Sequence, residues 1–431
     1  MKKIDIDKVN RIHLIGVGGI GVSALARHLL QEKKVVSGSD RSLTPITKAL
    51  AAEGVQIFSE QSAENIKKDI ELVVYTEAMS EDHQEMQAAR KLNIPMVNYF
   101  EALGLAMNPY YLIAVAGTHG KSTTTAMLTD IFETVDKDPT AVIGALRAKT
   151  QSNYRAGKSK YAVVEACEYK RDFLFLKPDI LVITNIELEH VDYYTSLEDV
   201  QAAFKTLVGQ INEGGIVVAD TAHPNVAPVL IGAEATVVNY QDFFDVQLQL
   251  KQPGIHNRMN AAAALAAAKA EKIDVDEAKL ALSNFAGTWR RFEYKGELNG
   301  APVYDEYAHH PTEIIASIQG ARELYPNKKI HVVFQPHTFS RTAVLFDNFA
   351  RALGHADEVY LLPVYAAREE NATGVSSREL AVKVLESNSS VSYVSSLEDA
   401  ESQLRMKVTQ TDVVVLMGAG NVTDLADSLT K

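Results

Sequence analysis

Two apolar runs in this chain each end in a glycine-rich turn and pass directly into a helical stretch, and this arrangement restricts the possible fold more than any other feature. The first is RIHLIG, whose turn Gly16-Val17-Gly18-Gly19-Ile20-Gly21 leads into SALARHLLQEKK. The second is YYLIAVA, whose turn Gly117-Thr118-His119-Gly120-Lys121-Ser122 leads into a helix expected from about Thr123 to Thr134. Short apolar runs suit strands buried on both faces, and strand, turn, helix, strand in succession is a βαβ unit of a parallel sheet. The chain is therefore expected to be α/β. Further strand-like runs follow: KVVSGSD, YAVVEA, DILVITNI and GGIVVAD, then PVYDEY, KIHVVFQ, EVYLLPV and DVVVLMG. An alanine-rich helix is expected near Asn260–Ala270.

At roughly 150 residues per domain, 431 residues suggest about three domains. Polar breaks place the borders at 1–107, 108–289 and 290–431. With 46% hydrophobic and 23% charged residues the composition is that of a globular protein. No apolar run reaches the roughly 20 residues of a membrane span, and the amino terminus lacks a signal peptide's continuous apolar stretch. The single cysteine, Cys167, fits a reducing cytoplasm and reads as a small core residue. A net charge of −12 argues against a nucleic-acid partner. Nothing in the sequence separates a monomer from a homodimer.

The second glycine turn has the chemistry of a phosphate site. Backbone N–H groups converge there, the helix N-terminus adds positive partial charge, and glycines let phosphate oxygens approach. Lys121 is placed to reach the β- and γ-phosphates of ATP, and the Ser122 hydroxyl to ligate Mg²⁺. Val115 stands where the strict pattern has glycine, so the loop is a shortened variant. The first turn satisfies GxGxxG, with Asp40 closing the next strand as a candidate ribose ligand. A pyrophosphate looks alike whatever it carries, so Gly18, Gly19, Gly21 and Asp40 point to a dinucleotide or a nucleotide diphosphate.

From Gly117 onward the landmarks resemble the Mur ligase family, over essentially the whole chain. GTHGKST matches the family's ATP loop, which includes Thr123; VEACEY and TNIELEHVDYY resemble its metal-binding stretches; PGIHNRMNAAAA resembles its adenine-side segment. RRF, DEYAHHPTEI and FQPHTFSRT resemble most the members that join L-alanine to UDP-N-acetylmuramate. The resemblance implies a Rossmann-like UDP-sugar domain, a central phosphate-loop ATPase domain with a parallel sheet, and a carboxy-terminal Rossmann-like domain. It also implies that a carboxylate takes the γ-phosphoryl group of ATP and the alanine amine then displaces phosphate.

Carried over position by position, the resemblance makes Glu165 and His190 metal ligands beside Ser122, and His256 and Asn257 adenine contacts. For Asn260 a helix-capping role stands beside the family one. Asp305 matches a ribose-binding carboxylate and Arg291 a residue near the nucleotide phosphates. His309, His310 and Arg341 are the candidates for the amino-acid side: Arg341 for the carboxylate, and a histidine with pKa near neutrality as proton acceptor. Thr338 stands where some members carry arginine, and Ala308 where some carry glycine. Lys205 reads as a surface helix lysine and Trp289 as linker packing. Three other readings remain: a sibling ligase that attaches a ready-made peptide to the same sugar nucleotide, an NAD(P)-dependent oxidoreductase, and an ATP-hydrolysing switch.

Overall fold

The short aliphatic runs become the inner strands of three sheets. The structure, a computed structural model, describes residues 4–367, 369–388 and 390–430. The chain divides into two compact units, Met1–Glu187 with Val200–Phe243 and Ala261–Leu282, and Leu188–Asp199 with Phe244–Asn260 and Ser283–Lys431. The fold is a three-domain α/β structure, as expected.

In the first unit, one sheet has five parallel strands in the order Gln56–Phe58, Val35–Ser39, Arg11–Ile15, Leu72–Tyr75, Met96–Asn98. A second sheet has seven, in the order Thr236–Asn239, Ile216–Ala219, Ile180–Ile183, Tyr111–Ala116, Tyr161–Glu165, Thr140–Arg147, Ser152–Arg155. Both glycine turns leave a central strand whose neighbours lie in opposite chain directions of the crossover. Ligands bind at such switch points, outside the carboxyl ends of the strands. The last pair, Thr140–Arg147 with Ser152–Arg155, is antiparallel. The sequence reading missed it: Ser152–Arg155 is polar, and the apolar run of Thr140–Arg147 is broken by Gly144. Its tip packs on the helix Ile20–Gln31 that follows the first glycine turn: Asn153 Nδ2 donates to Ser23 Oγ at 3.0 Å and Arg27 Nη1 to Asn153 Oδ1 at 2.6 Å.

The helix after the phosphate turn, Lys121–Thr134, starts two residues earlier than expected. Its threonines are weak helix formers, yet Thr125 and Thr129 donate back to Lys121 O at 2.8 Å and Thr125 O at 2.7 Å. It is buried from Ser122 to Phe132, so burial outweighs propensity.

The second unit holds a six-stranded sheet in the order Glu293–Leu298, Ala301–Glu306, Asp412–Met417, Lys329–Phe334, Glu358–Leu361, Val391–Tyr393, parallel except for its first strand. Side chains such as Val332, Phe334, Phe349 and Met417 fill one face, and Val333, Tyr360, Leu416 and Leu425 the other. Each fully buried side chain of this size stabilises the sheet by roughly 1.5–3 kcal/mol. No helix among the described residues is long and apolar enough to cross a membrane.

Candidate active site

Gly117 and Gly120 carry φ of +139° and +81°, and a Cβ on Gly117 would overlap Thr184 Oγ1. The turn between them is clamped from the neighbouring strand's end. Asn185 Oδ1 accepts from His119 N at 2.8 Å, Asn185 Nδ2 donates to His119 O at 3.0 Å, and Thr184 Oγ1 donates to the same carbonyl at 2.6 Å. Glu187 N donates to Thr118 Oγ1 at 2.8 Å. The first-turn N–H groups of the following helix, at Lys121, Ser122 and Thr123, have no intrahelical acceptor by position. Ser122 and Thr123 are buried there.

Lys121 Nζ donates to Gly117 O at 2.6 Å and Thr118 O at 3.0 Å, and lies 2.9 Å from Glu168 Oε2. Burial disfavours the ammonium, but Glu168 and, further off, Glu165 outweigh it and raise the Lys121 pKa above its ordinary value. A carboxylate thus faces the lysine where a phosphate would. The sequence reading missed Glu168, though it lies within VEACEY. Register pairs Val115 with Glu165, so Glu165 stands at the carboxyl edge beside the turn. Its Oε2 accepts from Gly144 N at 2.7 Å, and a Cβ on Gly144 would overlap this carboxylate. The buried hydroxyl of Ser122 and the carboxylate of Glu165 are hard oxygen donors of the type Mg²⁺ takes. His190, the third expected ligand, belongs to the second unit and carries φ of 54°. Cys167 is partly buried, and burial pushes its thiol up to about 12, so it is no thiolate nucleophile.

At the first turn, Asp40 braces the loop. Gly18 N donates to Asp40 Oδ2 at 2.9 Å and Ser42 N to Oδ1 at 3.1 Å, leaving each oxygen a further lone pair. Gly19 caps the helix, and a Cβ on Gly21 would meet the Tyr99 ring at 2.6 Å.

In the second unit the helix Ile255–Ala270 begins before Asn260, so Asn260 is no N-cap; Asn260 Nδ2 points back to Asn257 Oδ1 at 3.5 Å. Asn257 Nδ2 donates to Pro253 O at 2.8 Å, and burial pushes His256 down to about 4. Asp305 is fully buried, 3.2 Å from Arg290 Nε and accepting from Thr423 Oγ1 at 2.6 Å. Asp305, the ribose ligand that the family resemblance implies, thus has its charge balanced by Arg290, as a carboxylate so deep requires. Arg290, passed over in the sequence reading, also donates to the carbonyls of Gly418 and Gly420 and so ties this strand end to the neighbouring turn. Arg291 lies over the Tyr307 ring and 3.7 Å from Glu313. Lys205 is exposed on the helix Leu197–Val208, and Trp289 is an exposed neighbour of Arg290.

His309 Nδ1 lies 3.0 Å from Tyr307 O. A carbonyl only accepts, so Nδ1 carries the hydrogen and Nε2 keeps the lone pair. Burial pushes the His309 pKa down to about 4, against the pull of Glu313. A His309 lowered in this way favours an orienting role over that of proton acceptor. His310 caps the helix Pro311–Leu324, its Nδ1 accepting from Thr312 N at 3.3 Å. Arg341 donates from Nε and Nη2 to Glu189 Oε1 at 2.9 and 2.6 Å, with Nη1 3.2 Å from His337 Nδ1. Burial opposes the Glu189 charge, but Arg341 outweighs it and holds the carboxyl far below its usual range. Ala308 is fully buried. Thr338 adopts φ 64°, ψ 144°, a region costly for a β-branched residue, with its N–H on Tyr365 O at 2.9 Å.

Three family models match: the Mur ligase family catalytic domain over residues 11–111, the Mur ligase middle domain over 115–242, and the Mur ligase glutamate ligase domain over 290–420. The UDP-N-acetylmuramate–L-alanine ligase of Agathobacter rectalis is 38% identical over the full length of both chains, and that of Clostridium acetobutylicum 39% identical over 97% of each. The crystal structure of the UDP-N-acetylmuramate–alanine ligase of Thermotoga maritima superposes with a TM-score of 0.82 at 28% identity, covering 97% of this chain and 98% of that one. A murein peptide ligase of Psychrobacter arcticus shares the fold at a TM-score of 0.72 and 23% identity, over 97% and 98% of the two chains.

Proposed function

This chain belongs to the Mur ligase family, and from that premise we propose that its two glycine turns serve a single reaction. The chain is an ATP-dependent ligase of peptidoglycan precursor synthesis that joins L-alanine to the carboxylate of UDP-N-acetylmuramate. The carboxylate is activated as an acyl phosphate, and ADP and phosphate are released. The observation that carries the reading is the charged Lys121, held by loop carbonyls and Glu168 at a switch-point turn, with Glu165 on the adjacent strand.

The physical demand is that two anions, a carboxylate and a triphosphate, come together. Gly117, Thr118, Gly120 and the first-turn N–H groups cradle the phosphates, and Lys121 exchanges Glu168 for them. Ser122, Glu165 and His190 would hold Mg²⁺, which supplies the charge neutralisation that lets the two anions meet. The turn Gly16–Gly21, braced by Asp40, binds the UDP pyrophosphate. His256 and Asn257 flank the adenine, and Arg291 serves the nucleotide phosphates. His309, with Nε2 unprotonated, orients the reacting acyl group, while His310 and Arg341 serve the amino acid. Domain borders at 107/108 and 289/290 assign one binding task to each sheet. The enzyme works in the cytoplasm, as a monomer or homodimer, with neither nucleic acid nor membrane as partner.

An oxidoreductase leaves the lysine loop without a task, and the peptide-attaching sibling shares the fold at lower identity. Incubation with ATP, Mg²⁺, UDP-N-acetylmuramate and equal concentrations of L-alanine and a tripeptide tests the choice. Mass spectrometry should find the alanyl product in excess; a dominant tripeptide product would transfer the chain to the sibling activity.

A further inference from the structure

The carboxylate of Glu189 is used on one side only. Its Oε1 takes three donors: Arg341 Nε at 2.9 Å, Arg341 Nη2 at 2.6 Å and His190 N at 3.2 Å. Its Oε2 is buried and has no hydrogen-bond partner among the described residues, although the residue as a whole is only 6% exposed. A buried carboxylate oxygen without a donor is costly, and such groups are normally satisfied. One oxygen saturated and the other idle is the pattern of a site whose remaining donor comes from a ligand.

The neighbouring charge says which ligand. Arg341 has five N–H groups: Nε and one from Nη2 reach Glu189, and Nη1 reaches His337 Nδ1 and, at 3.5 Å, His337 O, so one Nη2 N–H remains over. A cation with a spare donor and an anion with a spare acceptor are thus in direct contact, within one compact unit. A free α-amino acid carries the complementary pair, a carboxylate and an ammonium separated by one carbon. We propose that Glu189 Oε2 recognises the ammonium of the incoming amino acid, while the spare Nη2 N–H of Arg341 takes its carboxylate. The assignment rests on the ligase reading above and adds a substrate-binding residue to it. Glu189 would then also exclude amino-acid look-alikes that lack the amine, since these leave a buried anion unpaired. It is a recognition role: the ammonium must still lose its proton elsewhere before it attacks.

Two probes that each carry half of alanine separate this role from one of merely holding Arg341. L-Alaninamide keeps the amine and lacks the carboxylate; L-lactate keeps the carboxylate and lacks the amine. Each is titrated against labelled L-alanine in amide formation by the full-length enzyme with ATP, Mg²⁺ and UDP-N-acetylmuramate. Glu189→Gln should weaken competition by L-alaninamide at least about tenfold and change that by L-lactate less than about twofold, the loss expected for a charged hydrogen bond. Loss of L-lactate competition with L-alaninamide unaffected would overturn the assignment and leave Glu189 as a positioning residue for Arg341. So would an altered Mg²⁺ requirement with both probes unchanged. If Glu189→Gln does not fold, Glu189→Asp carries the test. Its shortened carboxylate, still anchored by Arg341, should weaken L-alaninamide more than L-lactate, and equal loss of both overturns the assignment. Wild-type protein that makes no amide from L-alanine overturns the ligase reading together with this assignment, whereas the other negative results overturn the assignment alone.

Discussion

In the proposed reaction both halves depend on Lys121, and its surroundings explain how it stays charged while buried. Two loop carbonyls and Glu168 offset the burial that would otherwise neutralise it. Removing the ammonium leaves nothing to meet the transferred phosphoryl group. Lys121→Ala should therefore lower phosphate release on the order of 10²–10³-fold, the scale of losing one fixed electrostatic stabiliser. Calorimetry should show UDP-N-acetylmuramate binding unchanged, and its loss would mean that the two nucleotide sites are wrongly assigned. Asp40 makes the converse case. Asp40→Asn keeps the size but removes the anion that receives Gly18 N. It should weaken UDP-N-acetylmuramate roughly tenfold and spare ATP; unchanged affinity would take Asp40 out of the sugar-nucleotide site.

At the scale of elements, the sequence disclosed the parts built from uninterrupted aliphatic runs. YLIAVA, DILVITNI and DVVVLMG are buried inner strands, and the turn after each central strand sits at a switch point. The antiparallel pair Thr140–Arg147 and Ser152–Arg155 stayed hidden, since Gly144 interrupts the first strand and the second is polar, while buried ion pairs such as Arg147 with Asp130 and Glu133 leave no periodic signal. Ligand-type residues were recognisable by motif, whereas Glu168, Glu189 and Arg290 act as buried counter-charges, which only the assembled packing reveals. The hidden pair has a functional edge. Gly144 on it donates to Glu165 and leaves room for that carboxylate. Gly144→Ala should push Glu165 away and raise the Mg²⁺ concentration for half-maximal activity several-fold, with the thermal midpoint little changed because Gly144 carries no left-handed φ. An unaltered Mg²⁺ titration would detach Glu165 from the metal. Gly117→Ala, by contrast, meets both a φ of +139° and the Thr184 side chain, and should cost about 1–3 kcal/mol in denaturant unfolding. Wild-type stability would show that the turn relaxes.

For the whole molecule, histidines that are buried or half-buried set the response to acid. His28, His256, His309 and His337 are each lowered by burial from 6.5 to about 4. Between these values the unfolded chain takes up protons that the native protein refuses, so their contribution is complete above pH 6.5 and lost as pH falls towards 4. Glu306 and Asp172, raised by burial to about 7, act in the opposite sense, holding protons that the unfolded chain releases. Of the groups shifted most in this range, four histidines outweigh two carboxyls, and unfolding free energy should fall by on the order of a few kcal/mol from pH 6.5 to 4.5. A flat profile would contradict the burial of these imidazoles. The central claim is that both glycine turns belong to one reaction, and omitting reactants singly from a phosphate-release assay tests it most directly. With ATP, Mg²⁺, UDP-N-acetylmuramate and L-alanine all present, phosphate should appear, and leaving out any one of them should abolish it. Release that persists without the sugar nucleotide would contradict the account, leaving an ATPase whose first glycine turn serves some other ligand.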